Sequence, residues 1–423
     1  MKNSDYNYLL RNDKGEAFLV NPLYNGIVRI DKWLLDIWEK NKNDLTYFRE
    51  NHSRFYDCLK KRHFIINNEE NEVASCLSQI RHHYEWNDGC LYITINPTLD
   101  CNLRCWYCYE EHRKGSLMNT EVIDAILCFI KESIKKNHWE EIHLSFFGGE
   151  PFLGYKQVIL PLLRSIKEIC DENQIGFSHG YTTNATLLTV SRIKELQKIS
   201  PNLHFQITFD GNEIYHNQTK YFGNGRGSYK RALQNTRLLI QSSINVSIRL
   251  NITNTNIGSM KETVLSFSDL VHYHCFTFQI QKVWQEKETP LLRKELPQLI
   301  EVIKSIGIGM NNEEKGYYRA RCYANFRHNL VINYNGDIFQ CTARDFSKEN
   351  RMGILLSDGE ILYNESYIVR QEKQIKDECI SCILLPICPM CSQRKYEIST
   401  CCSYRNNPQS ILENLKGYFK IYD

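Results

Sequence analysis

From residue 90 to about 305 the chain alternates short β-rich runs with amphipathic stretches of helical period. The β-rich runs are "LYITI" (91–95), "IHLSFF" (142–147), "IGFSHGYT" (176–183), "HFQITF" (204–209), "NVSIRLNI" (245–252) and "CFTFQIQ" (275–281). Between the first two, "NTEVIDAILCFIKESIKKN" repeats Val122, Ile123, Ile126, Ile130 and Ile134 at helical spacing behind the capping candidate Asn119. Six βα units of this kind predict an α/β protein with a parallel sheet and crossover helices, open or curled into a partial (β/α)6 TIM-type barrel. Either form places ligand-binding loops at the carboxyl ends of the strands. Residues 1–85 follow a different pattern: a strand pair in "YNYLLRNDKGEAFLVN", turning between Asp13 and Gly15, then "VRIDKWLLDIWEKN" and "RFYDCLKKRHFII" as short amphipathic helices. We expect a small N-terminal α+β module there, the βα array over 86–310, and a third, cysteine-rich domain over 311–423. In that last part the periodicity fades, and "INYNGDIFQC" predicts a hairpin turning at Asn335 and Gly336.

Composition narrows the class. Among 423 residues, 52 basic against 49 acidic side chains leave a net charge of +3 without a long run of one sign, so no nucleic-acid or membrane surface is announced. The opening "MKNSDYNYLLRNDKGEAFLV" is polar where a signal peptide needs an apolar run, and no membrane-length apolar stretch occurs. The expectation is a soluble cytoplasmic protein. In that compartment thiols stay reduced, so 17 cysteines point to metal rather than to disulfides. Cys58, Cys76, Cys90, Cys128, Cys170 and Cys275 are scattered singly, as small buried hydrophobes are; the others gather at 101–108 and 322–402.

"NPTLDCNLRCWYCYEE" sets Cys101, Cys105 and Cys108 directly after the first strand, where this architecture puts chemistry. A structural zinc or a standard iron–sulfur cluster takes four protein ligands. Three thiols spaced C-x3-C-x2-C therefore suggest a metal site left open on one side, or a zinc site whose fourth ligand, such as His112, lies elsewhere. The spacing resembles the signature of the radical S-adenosylmethionine (radical SAM) enzymes. The resemblance extends to Tyr107 before the last cysteine, to "GGEP" (Gly148, Gly149, Glu150, Pro151) ending the second strand, to "TTNATLL" with Thr183 and Asn184, and to "RLNIT" with Arg249 and Asn251. It implies that Cys101, Cys105 and Cys108 hold a [4Fe-4S] cluster whose fourth iron is chelated by SAM, with those other residues around the SAM. One electron then cleaves SAM to methionine and a 5′-deoxyadenosyl radical that abstracts hydrogen. The paired glycines allow close backbone approach to a ligand, and Glu150 or neighbouring carbonyls can accept from the SAM ammonium. Asp210 with Gly211 in "FDG" reads either as part of this site or as a capping turn.

Near the C-terminus, Cys322 is followed after thirteen residues by Gly336 and four residues later by Cys341; "CISCILLPICPMC" then supplies Cys379, Cys382, Cys388 and Cys391, before Cys401 and Cys402. The order resembles the SPASM extension, departing from it in having two residues rather than three between Cys388 and Cys391. By that resemblance Cys322, Cys341 and Cys391 hold one auxiliary [4Fe-4S] cluster, and Cys379, Cys382 and Cys388 with Cys401 or Cys402 hold a second. The first is then either open at one iron or completed by a further side chain; paired C-x2-C ligands also suit zinc.

SPASM enzymes mostly modify peptides and proteins. The N-terminal module resembles leader-recognition domains, which take up an extended peptide by β-augmentation, or serves as a simple cap. The expected function is a radical SAM peptide maturase forming a thioether, carbon–carbon or ether crosslink on a ribosomally made precursor peptide with its leader. An electron donor such as flavodoxin or ferredoxin is implied. Tyr317, Tyr318, Phe326 and Trp284 are candidates for the peptide channel. A sulfatase-maturing enzyme making formylglycine and a non-catalytic iron–sulfur scaffold are the alternatives; the former carries an acid near the sixth strand, where this chain has Gln279, Gln281 and Gln285. No catalytic side chain is assigned, and RNA modification would want a basic surface.

Overall fold

The computed structural model describes residues 1–12, 14–86, 89–287, 289–310, 322–372, 375–388, 390–398, 402, 404–405 and 407–421. Asp13, Tyr317, Tyr318 and Cys401 lie outside them. The chain divides into two compact units: residues 88–313 with 328–368, and residues 1–87 with 314–327 and 369–423. This division cuts the chain differently from the three consecutive segments above, because the C-terminal part contributes to both units.

In the larger unit, strands Cys90–Ile95, Glu141–Phe146, Gly176–Thr183, Leu203–Phe209, Asn245–Ile252 and Phe276–Lys282 lie side by side, parallel and in chain order. This is the arrangement a partial (β/α)6 barrel requires. Helix Thr120–Lys136 makes the first crossover, and Asn119 caps it by accepting from Val122 N at 3.0 Å, a contact worth about 1 kcal/mol. One face of the strands carries Leu91, Ile93, Ile95, Ile142, Leu144 and Phe146, each shut off from solvent, and joins the helices in one core. Burying each such side chain contributes roughly 1.5–3 kcal/mol. The opposite face is polar. Tyr92, His143 and His204 stack there at 4.7 and 5.3 Å between ring centres, and Thr182, Gln206 and Gln279 form a hydrogen-bonded ladder at 3.3 and 3.0 Å. Since a parallel sheet normally buries apolar side chains on both faces, this polar face marks an interior built to hold something other than more core.

The expected hairpin is present, with Leu330–Ile332 antiparallel to Asp337–Phe339 across a turn containing Asn335 and Gly336. Leu330–Ile332 also pairs in parallel with the first strand, so the sheet runs on through Gly353–Leu355 and Ile361–Tyr363 to ten strands.

In the smaller unit Tyr8–Arg11 and Ala17–Asn21 pair as expected, but the stretch read as the helix "VRIDKWLLDIWEKN" is divided. Gly26–Ile30 is a third antiparallel strand and only Lys32–Asn41 is helical. Val28 and Ile30 are β-branched, and strand pairing outweighs a helical period of so few residues. Helices Leu45–Asn51, Ser53–Lys61 and Glu72–Trp86 follow, and Ile65–Ile66, at the end of the stretch read as the second helix, is instead a short strand antiparallel to Lys2–Asn3. Among the described residues no helix is long and apolar enough to cross a membrane.

Candidate active site

At the carboxyl ends of the parallel strands an open cleft of about 820 Å³ is lined by Cys101, Cys105, Cys108, Tyr107, Gly148, Gly149, Thr183, Asn184, Arg249 and Asn251. Residues far apart in sequence thus share one cavity because each follows, or ends, a strand of the array. The remaining expected residues, Glu150, Pro151 and Asp210, stand behind the wall. Pro151 starts a buried 3-10 turn, Pro151–Gly154. Glu150 has no solvent exposure; its carboxylate accepts from Thr183 Oγ1 at 2.8 and 3.0 Å, Asn184 N at 2.9 Å and Phe152 N at 3.1 Å. It braces the "TTNAT" loop, and burial raises its pKa against the pull of those donors.

The two glycines are needed for a close approach, but the partner is the cysteine loop's own backbone. Gly148 sits at φ +96°, and a Cβ there would meet Thr98 O at 2.4 Å; at Gly149 it would meet Asp100 O at 2.2 Å. In their place run the hydrogen bonds Gly149 N to Thr98 O, 3.1 Å, and Glu150 N to Asp100 O, 2.8 Å. The second strand thereby clamps the loop that carries the thiols.

Asp210 is not a cap: Asn212 caps the next helix, Glu213–Thr219, through Tyr215 N. Instead Asp210, fully buried, accepts from Tyr107 Oη at 2.7 Å and pairs with Lys220 Nζ at 3.2 Å. Asn251 Nδ2 donates to the same phenol oxygen at 3.0 Å, and Arg249 Nε to Asn251 Oδ1 at 3.0 Å. Burial, then Asp210, holds the Tyr107 phenol well above its ordinary pKa, so it stays a neutral donor.

Burial raises all three thiols, Cys105 to about 12 with Lys220 pulling it back down, and each feels the charge of a neighbouring cysteine or acid. Such thiols keep their protons near neutral pH until a cation binds the sulfurs and displaces them. Among the described residues no three His, Cys, Asp or Glu side chains close on one point as the ligands of a single ion would. Three thiols spread around one open cleft fit a larger group held on one side. Cys108 Sγ lies 3.5 Å from His112 Nε2. The sequence reading missed Glu110, Lys220, Thr182 and Thr208, which also line the cleft. Glu110 Oε2 is buried without a hydrogen-bond partner among the described residues, and burial pushes the carboxyl up to about 8. Lys220 reaches the cleft because Lys220–Phe222 pairs antiparallel with Leu103–Cys105, a register that no local pattern displays.

Residues 95–266 match the Radical SAM superfamily. This segment is a radical SAM domain. Such a domain implies a [4Fe-4S] cluster with SAM. An uncharacterized protein of Methanocaldococcus jannaschii, MJ0907, is 26% identical over 262 residues, spanning 60% of this chain and 85% of its own length. The radical SAM cyclopropyl synthase TigE of Paramaledivibacter caminithermalis is 21% identical over 294 residues, 63% of this chain but only 60% of TigE. Among solved structures, native anSMEcpe with bound AdoMet and the Cp18Cys peptide superposes at a TM-score of 0.57 and 16% identity, covering 78% of this chain and 97% of that one. Streptococcus suis SuiB bound to precursor peptide SuiA gives 0.50 at 18% identity, covering 92% and 94%. The two solved structures share the fold over most of this chain.

The later cysteines fall in both units. Cys379, Cys382, Cys388 and Cys402 line a single cavity in the smaller unit, and the other three each push up the Cys382 thiol after burial does. Cys322 and Cys391 belong to the same unit, where Ser392 N donates to Asn325 Oδ1 at 2.6 Å; Cys341 belongs to the larger one. Of the aromatics proposed for a channel, Phe326 is buried in the smaller unit, and Trp284, 68% exposed, packs edge-on against Tyr109 in the larger.

Proposed function

We propose that the chain is a cytoplasmic radical SAM peptide maturase that forms a thioether, carbon–carbon or ether crosslink on a ribosomally made precursor peptide. The observation that carries the proposal is the single cleft in which three thiols, two glycines, Tyr107, Arg249 and Asn251 meet at the strand ends. Cys101, Cys105 and Cys108 would hold the cluster, and the Gly148–Gly149 edge, Thr183, Asn184, Arg249 and Asn251 would surround the SAM. When bound, this pair supplies a 5′-deoxyadenosyl radical able to take hydrogen from an unactivated C–H bond.

The chain's own residues bind, orient and shield. Tyr107, fixed by Asp210 and Asn251, keeps a neutral hydroxyl and a flat ring at the cleft wall. The Thr182–Gln206–Gln279 ladder offers amide and hydroxyl groups to a peptide lying across the polar face. Glu110 supplies a carboxyl oxygen, Oε2, with no hydrogen-bond partner among the described residues. Supporting the substrate class is the precursor peptide on SuiB, and supporting the radical chemistry is TigE's name, a radical SAM cyclopropyl synthase. By the same reading Cys379, Cys382, Cys388 and Cys402 hold an auxiliary cluster, and an outer strand of the N-terminal sheet takes the leader.

Anaerobic co-expression with the short peptide encoded beside this gene, followed by mass measurement, tests the proposal. The expected result is a loss of two hydrogens per bond, absent with a Cys101→Ala, Cys105→Ala, Cys108→Ala variant. SAM cleavage with an unchanged peptide would reject the peptide substrate and favour another protein substrate, while a protein that never cleaves SAM with its clusters loaded and substrate present would be a scaffold.

A further inference from the structure

Residues 376–388 wind through four successive turns. Cys379 N donates to Lys376 O at 2.8 Å, Cys382 N to Cys379 O at 3.0 Å, Leu385 N to Cys382 O at 2.9 Å and Cys388 N to Leu385 O at 3.4 Å. A three-residue period stacks side chains at i and i+3, so Cys379, Cys382, Leu385 and Cys388 share one side of this segment. The three thiols meet Cys402 around a cavity of about 590 Å³, whose wall also carries Lys376, Lys395 and Arg405 against Glu378. Four thiols with a surplus of cations suit a metal–sulfur group of net negative charge. Leu385 joins them to a buried cluster with Tyr6, Leu23, Cys76 and Ile80, against which Cys379 and Cys382 also pack.

Tyr6 is 3% exposed. Its backbone is held by a polar network: Glu72 accepts from Ser4 Oγ and, at 2.8 Å, from Asp5 N, while Ser4 Oγ accepts from Tyr6 N at 3.2 Å and Asn21 Nδ2 at 2.7 Å. The ring's own hydroxyl oxygen, shut off from solvent, has no hydrogen-bond partner among the described residues. Burial, then Cys76, Glu72 and Cys382, hold the phenol well above its ordinary pKa. A buried donor without an acceptor is costly. Both Glu72 oxygens are already engaged, which leaves sulfur. Cys76, enclosed in an apolar cluster, is a weak acceptor as a thiol, whereas a metal-bound Cys382 is a thiolate and a stronger one.

We propose that the Tyr6 hydroxyl donates to the Cys382 sulfur of an iron–sulfur centre held by Cys379, Cys382, Cys388 and Cys402, and that it makes this centre easier to reduce. The inference rests on the auxiliary-cluster reading given above. Reduction adds one electron from the reductant and increases the negative charge on the sulfurs, with no bond made or broken. A hydrogen bond to a sulfur stabilises that added charge and raises the potential.

The test is an anaerobic redox titration of the reconstituted full chain with dithionite, read by electron paramagnetic resonance at the signal that Cys382→Ala removes. In Tyr6→Phe that signal should remain and iron content should not change. The reduced-to-oxidised ratio at a fixed potential should fall about tenfold, which for one electron is a midpoint lower by about 59 mV. The centre held by Cys101, Cys105 and Cys108 should titrate as in the wild type, and Cys76→Ala should leave the midpoint where it is. An unchanged midpoint in Tyr6→Phe overturns the proposal, as does an equal fall in Cys76→Ala, which would give the hydroxyl to Cys76. Loss of the centre's iron in Tyr6→Phe overturns it as well, because a donor to sulfur tunes a centre that four thiols already hold. If Cys382→Ala removes neither iron nor signal, the auxiliary-cluster reading fails instead.

Discussion

At Gly149 one missing carbon atom decides whether the site can exist. An Ala there places Cβ 2.2 Å from Asp100 O, a backbone atom with no room to move, so we expect a loss of about 2 kcal/mol or more by denaturant unfolding, together with reduced iron content after reconstitution. Tyr107→Phe acts differently, leaving the Asp210 carboxylate with Lys220 but without its hydroxyl donor. That change should cost about 1–3 kcal/mol and weaken SAM binding in isothermal titration. Glu110→Gln keeps the shape and replaces the group that burial pushes up to about 8. On the proposed reading it should raise the peptide KM while SAM cleavage without peptide stays within about twofold; unchanged peptide kinetics would remove Glu110 from substrate contact. The sequence displayed the thiols, both glycines and Tyr107 because each belongs to a short contiguous motif. Glu110 and Lys220 were hidden for a physical reason: the importance of the first lies in a buried Oε2 that finds no hydrogen-bond partner among the described residues, and that of the second in a strand register with Cys105 more than a hundred positions away.

The elements of the parallel array were legible because each strand sets apolar residues at alternate positions of a short run and the crossovers between them show helical periods; all six strands fall within a residue or two of their expected bounds. Gly26–Ile30 was misread since it abuts a helix and shares its apolar spacing. The polar face could not be foreseen either, because alternation alone does not say which residues stack. It has a measurable consequence. Burial lowers His143 on that face to about 3, beside Tyr92, Ser178 and Glu141, and lowers His179, on the opposite face against Tyr181, to about 4, with His204 contributing to both shifts. The folded chain keeps these rings neutral, whereas an unfolded chain protonates them below about pH 6.5. The unfolded state therefore binds more protons between about pH 6.5 and 4, and stability falls as pH falls through that window, by up to about 1.4 kcal/mol per pH unit for each histidine. Thermal unfolding midpoints of His143→Gln should show a shallower acid slope than the wild type; an equal slope would place the acid sensitivity elsewhere.

For the whole molecule the sequence suggested three consecutive domains, whereas packing assembles two units from interleaved segments. Fading periodicity after residue 310 hid this, since Leu330–Ile332 is too short to look like a member of the main sheet until its partner is known. Cys379, Cys382, Cys388 and Cys402 share one cavity in the smaller unit. On the auxiliary-cluster reading, Cys382→Ala should lower the iron content by roughly one cluster's worth and the melting temperature of that unit, leaving the Cys101, Cys105 and Cys108 cluster's electron paramagnetic resonance signal intact. The pairing of Cys90–Ile95 with Leu330–Ile332 also bears on synthesis. The first strand leaves the ribosome early, and one of its two neighbours emerges only after the whole parallel array has been made. Until then a growing chain presents an unpaired edge bearing Ile93 and Ile95, the kind of surface on which nascent chains stick to one another. Slower translation across residues 96–330 should therefore lengthen the exposure of that edge, and chaperones present during it should raise the yield of properly folded protein.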